Sequence, residues 1–220
     1  KQVIFLLDDN NADEKKDFIN SVKAELRHKN IQFKDLHIAS DPELTMLNSS
    51  LPENSDILII SNSSTKNSVG KIIAPLTKLK DDRADLSITL FGYPEWQTYT
   101  RDHLESFFEL DVYFYSSFYT NTLFPAAVQF TNAYHKWYSK DLASKYPNYA
   151  MLGFDTGFFF LKGLSRYGSE LENNLSKMNL TPIQTGFKFE RVNNWGGFIN
   201  KKVFFIRFTK NFELVKLDFE

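Results

Sequence analysis

The sequence predicts an α/β fold built on a largely parallel sheet. Short apolar runs recur through the first half, at Gln2–Leu7, Ile31–Ile38, Asp56–Ile60, Leu86–Leu90 and Val112–Tyr115. Several of them, such as QVIFLL and DILII, lack the alternation of a strand with one wet face, so they read as strands buried on both sides. Stretches with helical spacing separate them, and the strand-to-helix loops are rich in Asp, Asn and Ser. That order is the signature of βαβ units.

The elements follow from local chemistry. Ala12–Lys29 reads as a helix whose apolar stripe is Phe18, Val22 and Leu26. Asn10 or Asn11 can cap it, and Asp13 and Glu14 suit its first turn. Pro42–Leu47 reads as a short helix capped by Asp41, and Ser68–Leu79 as a longer one. Later come two aromatic-rich helices, Phe124–Tyr138 and Tyr149–Leu164. The first shows a stripe at Phe130, Ala133, Tyr134 and Trp137. The second is apolar nearly all round, which requires burial or an interface. The tail turns to strands at Gly186–Glu190, Lys202–Phe208 and Glu213–Leu217. The residue ranges expected as units are 1–115 (an α/β lobe), 116–180 (a helical segment) and 181–220 (strands returning to the first lobe).

Composition narrows the function classes. The 220 residues carry a net charge of -1, with no basic stretch of the kind that nucleic acid or an anionic membrane asks for. No apolar run approaches the roughly 20 residues that span a bilayer. Cysteine is absent, which excludes disulfides, thiolate metal sites and cysteine nucleophiles. Aromatic residues make up 16%, with 22 Phe, a high share that fits a core and leaves some to face a ligand or a partner. Lys1, followed at once by a strand, reads as a start produced by trimming or processing.

Catalytic motifs are weak. LLDDNN, at the end of the first strand, is similar to the acidic pocket of response-regulator receivers, but Asn62 stands where the phospho-accepting Asp belongs and no Lys follows the fifth strand. Ser61–Ile72 lies where a phosphate loop would lie, yet only Gly70-Lys71 fits that pattern. The histidines, His28, His37, His103 and His135, show no metal-ligand spacing, and there is no GxSxG elbow. No catalytic residue, cofactor or metal is therefore expected. Glu95, between Pro94 and Trp96, can meet an ammonium or a sugar hydroxyl. Its alternative role is that of a first-turn acid after a helix-starting Pro94, with Trp96 buried. Asp155, in GFDTG, is expected to cap or pack between two buried helices, with Gly153 and Gly157 allowing close helix approach.

Read together, VIFLLDDN, DILIISNSS, SITLFGYPEW, FYTNTLFPAAVQFTNAYHKWY and AMLGFDTGFFFLKGL resemble, in order, the type I periplasmic binding proteins of the leucine/isoleucine/valine-binding family. The likeness is strongest to divergent envelope members found beside LysM modules. The resemblance implies a Rossmann-like lobe, a helix pair belonging to the partner lobe, and closing strands at GFKFERVNNWGGFINKKVFFIRF. It implies a non-enzymatic, extracytoplasmic receptor located in the periplasm or cell envelope, with a small-molecule ligand such as an amino acid or a cell-wall component. The loops that match the family's cleft give Asn10, Ser61, Asn62, Ser63, Tyr93, Glu95 and Trp96 as candidate ligand-binding residues, with Glu95 where an acid can hold a substrate ammonium.

Family members have two lobes, and the first strand here resembles the start of the second. In the family, helices like Phe124–Tyr138 and Tyr149–Leu164 pack on the first-lobe sheet. Without it they would forfeit about 1.5–3 kcal/mol for each large side chain left exposed. The expectation is that a homo-oligomer or a missing upstream lobe covers them. Two alternatives stand beside the receptor reading. One is a protein-interaction domain that regulates cell-wall synthesis, as some proteins of this fold do. The other is a flavodoxin-like α/β enzyme using Asp8, Asp9 or Glu95.

Overall fold

Strand β1 (Gln2–Leu7) is the apolar run QVIFLL, and its four central side chains are buried. Helix α1 (Lys16–His28) follows after a 3-10 turn at Asp9–Asn11. It starts four residues later than expected, because Asp8 caps the 3-10 turn by accepting from the Asn10 amide and a further turn intervenes. Its Phe18, Val22 and Leu26 stripe packs, as expected, against Val3, Phe5 and Ile60 of the sheet. Next come β2 (Phe33–His37), α2 (Thr45–Ser50) and β3 (Asp56–Ser61). Asp41 does cap α2, but from a distance: its carboxylate accepts the amides of Thr45, Met46 and Leu47 at 2.8–3.2 Å. The helix thereby starts three residues after the expected Pro42 and overlaps the expected range at its end. Helix α3 (Lys66–Asp82), capped by Thr65, leads to β4 (Ser87–Gly92). A 3-10 segment at Pro94–Tyr99 runs into α4 (Thr100–Glu109), a helix the sequence did not announce because only Phe107 on it is buried. Strand β5 (Tyr113–Ser116) completes this series.

The computed structural model describes residues 1–143 and 145–218. The chain divides into two units, Lys1–Tyr115 with Phe205–Leu217, and Ser116–Phe204. The second contains α5 (Pro125–Tyr138), α6 (Tyr149–Tyr167), α7 (Leu171–Asn174) and a small antiparallel ribbon of β6 (Phe189–Arg191) and β7 (Phe198–Asn200). The chain then returns through β8 (Phe204–Phe208) and β9 (Leu214–Asp218).

The main sheet has the order β2-β1-β3-β4-β5-β8-β9, and its first five strands are all parallel. This is the mixed α/β architecture with a mostly parallel sheet that the apolar runs predicted. Order 2-1-3-4-5 is doubly wound, and its connections reverse direction between β1 and β3. Ligands in such sheets bind beyond the carboxyl ends of the strands at that switch point. On β8, Arg207 donates to Asp111 at 2.7 and 3.0 Å, tying the returning strand to the turn before β5.

In the second unit, the expected burial of α6 is restricted to one stripe: Met151, Asp155, Phe159 and Gly163, four residues apart. Phe154, Phe158, Leu161 and Leu164 are exposed, Leu161 to 71%. On α5 only Ala127 is buried, and Trp137 of the predicted stripe is 79% exposed. The close-approach glycine is Gly163, where a Cβ would lie 2.6 Å from the Leu171 side chain. Nothing approaches Gly153 or Gly157. Asp155 also departs from the expectation. It caps no helix; its carboxylate accepts the amides of Ile183, Gln184 and Thr185, each at 2.8 Å.

Candidate functional site

The β1/β3 switch point is filled by polar side chains from three loops of the first unit. At the end of β1, the Asp8 amide donates to Asn62 Oδ1 at 2.8 Å, and Asn62 Nδ2 returns a bond to the Asp8 carbonyl at 3.2 Å. Asn62 thus extends the strand pairing by one rung after the ladder ends. The Asp8 carboxylate turns toward α3. It accepts from Ser68 Oγ at 2.6 Å, from Asn11 Nδ2 at 3.0 Å and from the Asn10 amide at 3.1 Å, with Lys71 Nζ 4.0 Å away. Burial pushes this carboxyl up, but the hydrogen bonds and the Lys71 charge outweigh it and hold the group below its ordinary value. Asn10 itself is exposed and serves to orient Asp8.

The loop after β3 binds a second carboxylate. Ser63 Oγ, Ser64 Oγ and the Ser64 amide all donate to Glu14, the amide at 3.0 and 3.2 Å to its two oxygens. Glu14 lies in the turn before α1. Burial raises its carboxyl, and the Ser63 and Ser64 hydrogen bonds together with Lys15 bring it below the ordinary range. The loop stands just ahead of the α3 N-terminus, where the helix dipole also favours negative charge. Ser61 supports it from within: its buried Oγ accepts from the Ser63 amide at 3.0 Å.

The loop after β4 faces the neighbouring residue, Lys15. Its Nζ lies 3.0 Å from Glu95 Oε1, 3.8 Å from Glu14 Oε1, and 4.9 Å above the Tyr93 ring. The Tyr93 ring is buried, and its hydroxyl donates to the Ser61 carbonyl at 2.5 Å. Burial raises its phenol far above the ordinary tyrosine value. The other Glu95 oxygen, Oε2, has no hydrogen-bond partner among the described residues.

The sequence-predicted residues therefore converge in part. Ser61, Asn62 and Ser63 are brought together, and Glu95 and Tyr93 stand beside them through Lys15. Trp96 is fully buried: it packs on Phe107 and lies so close over Gly92 that a Cβ there would fall 2.4 Å from the ring. Pro94 occupies the start of the 3-10 segment, the arrangement foreseen as the local alternative for PEW. Glu14, Lys15, Ser64 and Ser68 were not singled out. Their contacts join residues 50–80 positions apart, and nothing local distinguishes Glu14 from an ordinary first-turn acid.

The carboxylates proposed for catalysis have separate partners. Asp9 pairs with His37 at 2.6 Å on the surface, Asp8 is held ionised by donors, and Glu95 meets Lys15. Among the described residues, no group of three acidic or histidine side chains is arranged to hold a metal ion, and no helix is long and apolar enough to cross a membrane.

No protein-family model and no curated protein matches the sequence. Solved structures do match in shape. An ABC transporter substrate-binding protein from Desulfitobacterium hafniense in complex with Leu superposes with a TM-score of 0.53 at 13% identity, over 99% of this chain and 60% of its own. A solute-binding protein of an ABC transporter from R. palustris, in complex with benzoate, gives 0.50 at 12% identity over 99% and 58%. The likeness is one of fold. This chain spans about 60% of the length of those it matches.

Proposed function

We propose that the chain is a non-enzymatic, extracytoplasmic receptor domain that binds a small polar ligand. The observation that carries this reading is the set of hydroxyl, amide and carboxylate groups gathered at the β1/β3 switch point, on a fold similar to solute-binding proteins. Ser63 and Ser64 offer donors to a carboxylate. Glu95 and Tyr93 offer an acid and an aromatic face to an ammonium. An amino acid or an amino-acid-bearing cell-wall fragment has both groups. In this reading residues 1–115 with β8 and β9 form one ligand-facing lobe, and residues 116–204, which include β6 and β7, correspond to part of a partner lobe. The location would be periplasmic or envelope-associated.

A second reading draws on the exposed aromatic side chains of α5 and α6. A surface carrying Trp137, Tyr138, Phe154, Phe158 and Leu161 suits protein contact, as in a regulator of cell-wall synthesis. A thermal-shift screen of the full-length protein against amino acids and muropeptides separates the two. Stabilisation that grows with ligand concentration in the millimolar range is the expected result. No shift with any of them favours the protein-contact reading.

A further inference from the structure

We infer that Glu14 and Lys15 act as a tethered surrogate for a zwitterionic ligand, occupying from within the groups that would hold a free α-amino acid. The inference rests on the receptor reading and concerns how that site is kept closed. Two adjacent residues of one turn supply one carboxylate and one ammonium, with Nζ and Oε1 3.8 Å apart. That separation is longer than the one within an α-amino acid, so the pair reproduces the two charges and not their span. The carboxylate takes all the outward donors of the Ser63-Ser64 loop. The ammonium takes the Glu95 carboxylate and the Tyr93 face. An ordinary structural staple needs one of these interactions; here both ends of a zwitterion are reproduced, on two different loops.

Two further observations point to displacement by a ligand rather than a permanent lock. First, the pair is reachable. The Glu14 and Lys15 side chains are 24% and 19% exposed, Ala12, Asp13 and Lys16 around them are exposed, and residues 12–15 are a turn outside both β1 and α1. Moving that turn leaves the sheet ladder in place and costs α1 only its first bond, from the Ile19 amide to the Lys15 carbonyl. Second, the fit is incomplete. Glu95 Oε2 has no hydrogen-bond partner among the described residues, on a side chain that is 44% exposed. Lys15 reaches only Oε1. A free ammonium, not bound to a side chain anchored at residue 15, can turn its three donors to both oxygens.

The test is calorimetric titration of the full chain and of the Glu14→Ala/Lys15→Ala variant with glycine and L-leucine, with acetate and methylammonium as half-ligands. Removal of the tether is expected to tighten amino-acid binding at least tenfold, because the competing intramolecular occupant has a high effective concentration. Lys15→Met alone is expected to admit methylammonium but not acetate. Should the double alanine variant fail to fold by circular dichroism, Glu14→Gln/Lys15→Met keeps the side-chain bulk and carries the same expectation. Equal amino-acid affinity in the parent and the variant overturns the surrogate while leaving the receptor reading standing. Weaker binding in the variant also overturns it, since Glu14 and Lys15 would then be ligand contacts. No binding to either protein overturns the zwitterion site itself, and a muropeptide shift in the thermal screen would still uphold a receptor with a different site.

Discussion

Glu14 in the sheet unit and Asp155 in the helical unit are both carboxylates wrapped by donors from a distant loop, yet they are built differently. Asp155 is 2% exposed, sits in the middle of a nineteen-residue helix, and accepts three backbone amides of one segment. Glu14 sits on a turn at the surface, and two of its three donors are serine hydroxyls that can rotate or find water. The surroundings differ as well. Around Glu14 the neighbours are polar groups of three loops, with Glu95 Oε2 left without a partner, whereas the helices around Asp155 leave Phe154, Phe158 and Leu161 in solvent. The comparison teaches that similar hydrogen-bond counts can belong to a fixed joint or to a removable one. Burial and the element that carries the side chain decide which.

The largest expected effect lies at the fixed joint. Asp155→Ala leaves three amides without an acceptor and should cost about 3 kcal/mol or more, read by chemical denaturation. Asp155→Asn, which keeps one acceptor oxygen, should cost clearly less. An equal loss for both would mean that the site is held by packing rather than by its hydrogen bonds. Next is Gly92→Ala in the sheet unit. Its new Cβ meets the Trp96 ring, so overpacking of about 1–3 kcal/mol is expected, with a matching fall in the thermal midpoint.

Acid should then separate the units. Asp8 and Glu14 have folded-state values below their ordinary 3.8 and 4.5. The folded chain therefore binds fewer protons than the unfolded one in acid, and this contribution is complete above about pH 4.5 and lost as pH falls through the folded values. Urea titrations from pH 7 to pH 3 should show that loss, and Glu14→Gln should flatten it. A slope unaffected by Glu14→Gln would remove Glu14 from the account. The smallest effect is expected on the open face: Trp137→Ser and Leu161→Ser, at 79% and 71% exposure, should change stability by no more than about 0.5 kcal/mol. A cost of several kcal/mol at protein concentrations where the chain associates would show that the face is covered in solution.

Much of the architecture was legible because buried strands leave a simple trace. QVIFLL and DILII carry too many apolar residues for a wet face, and both are central strands. Helix α4 was not legible, since one buried Phe107 makes no stripe. The aromatic helices were read as needing burial or an interface; within this chain α6 buries only every fourth residue and leaves Phe154, Phe158 and Phe160 exposed. For the candidate site, strand ends are predictable positions, so Ser61–Ser63 could be read from the pattern. The partners could not, because whether Glu14 points to water or to Ser64 is decided by fifty residues of intervening fold. Trp96 was ambiguous for a local reason, since Pro-Glu-Trp suits both a ligand loop and a helix start, and Gly92 resolves it by making room for the ring.

One consequence of that buried ring concerns what light can report. The three indoles of the chain are distributed unevenly. Trp96 lies at 0% exposure in the sheet unit, while Trp137 and Trp195, the latter at the β6–β7 hairpin tip, are 79% and 99% exposed in the helical unit. Two emitters already sit in water and have no environment to lose. A red shift on denaturation therefore comes from Trp96 and follows the sheet unit alone, whereas far-ultraviolet dichroism follows the helices of both. The two signals will coincide only if the units melt as one, so an ordinary pair of melting curves measures the coupling between them without any label.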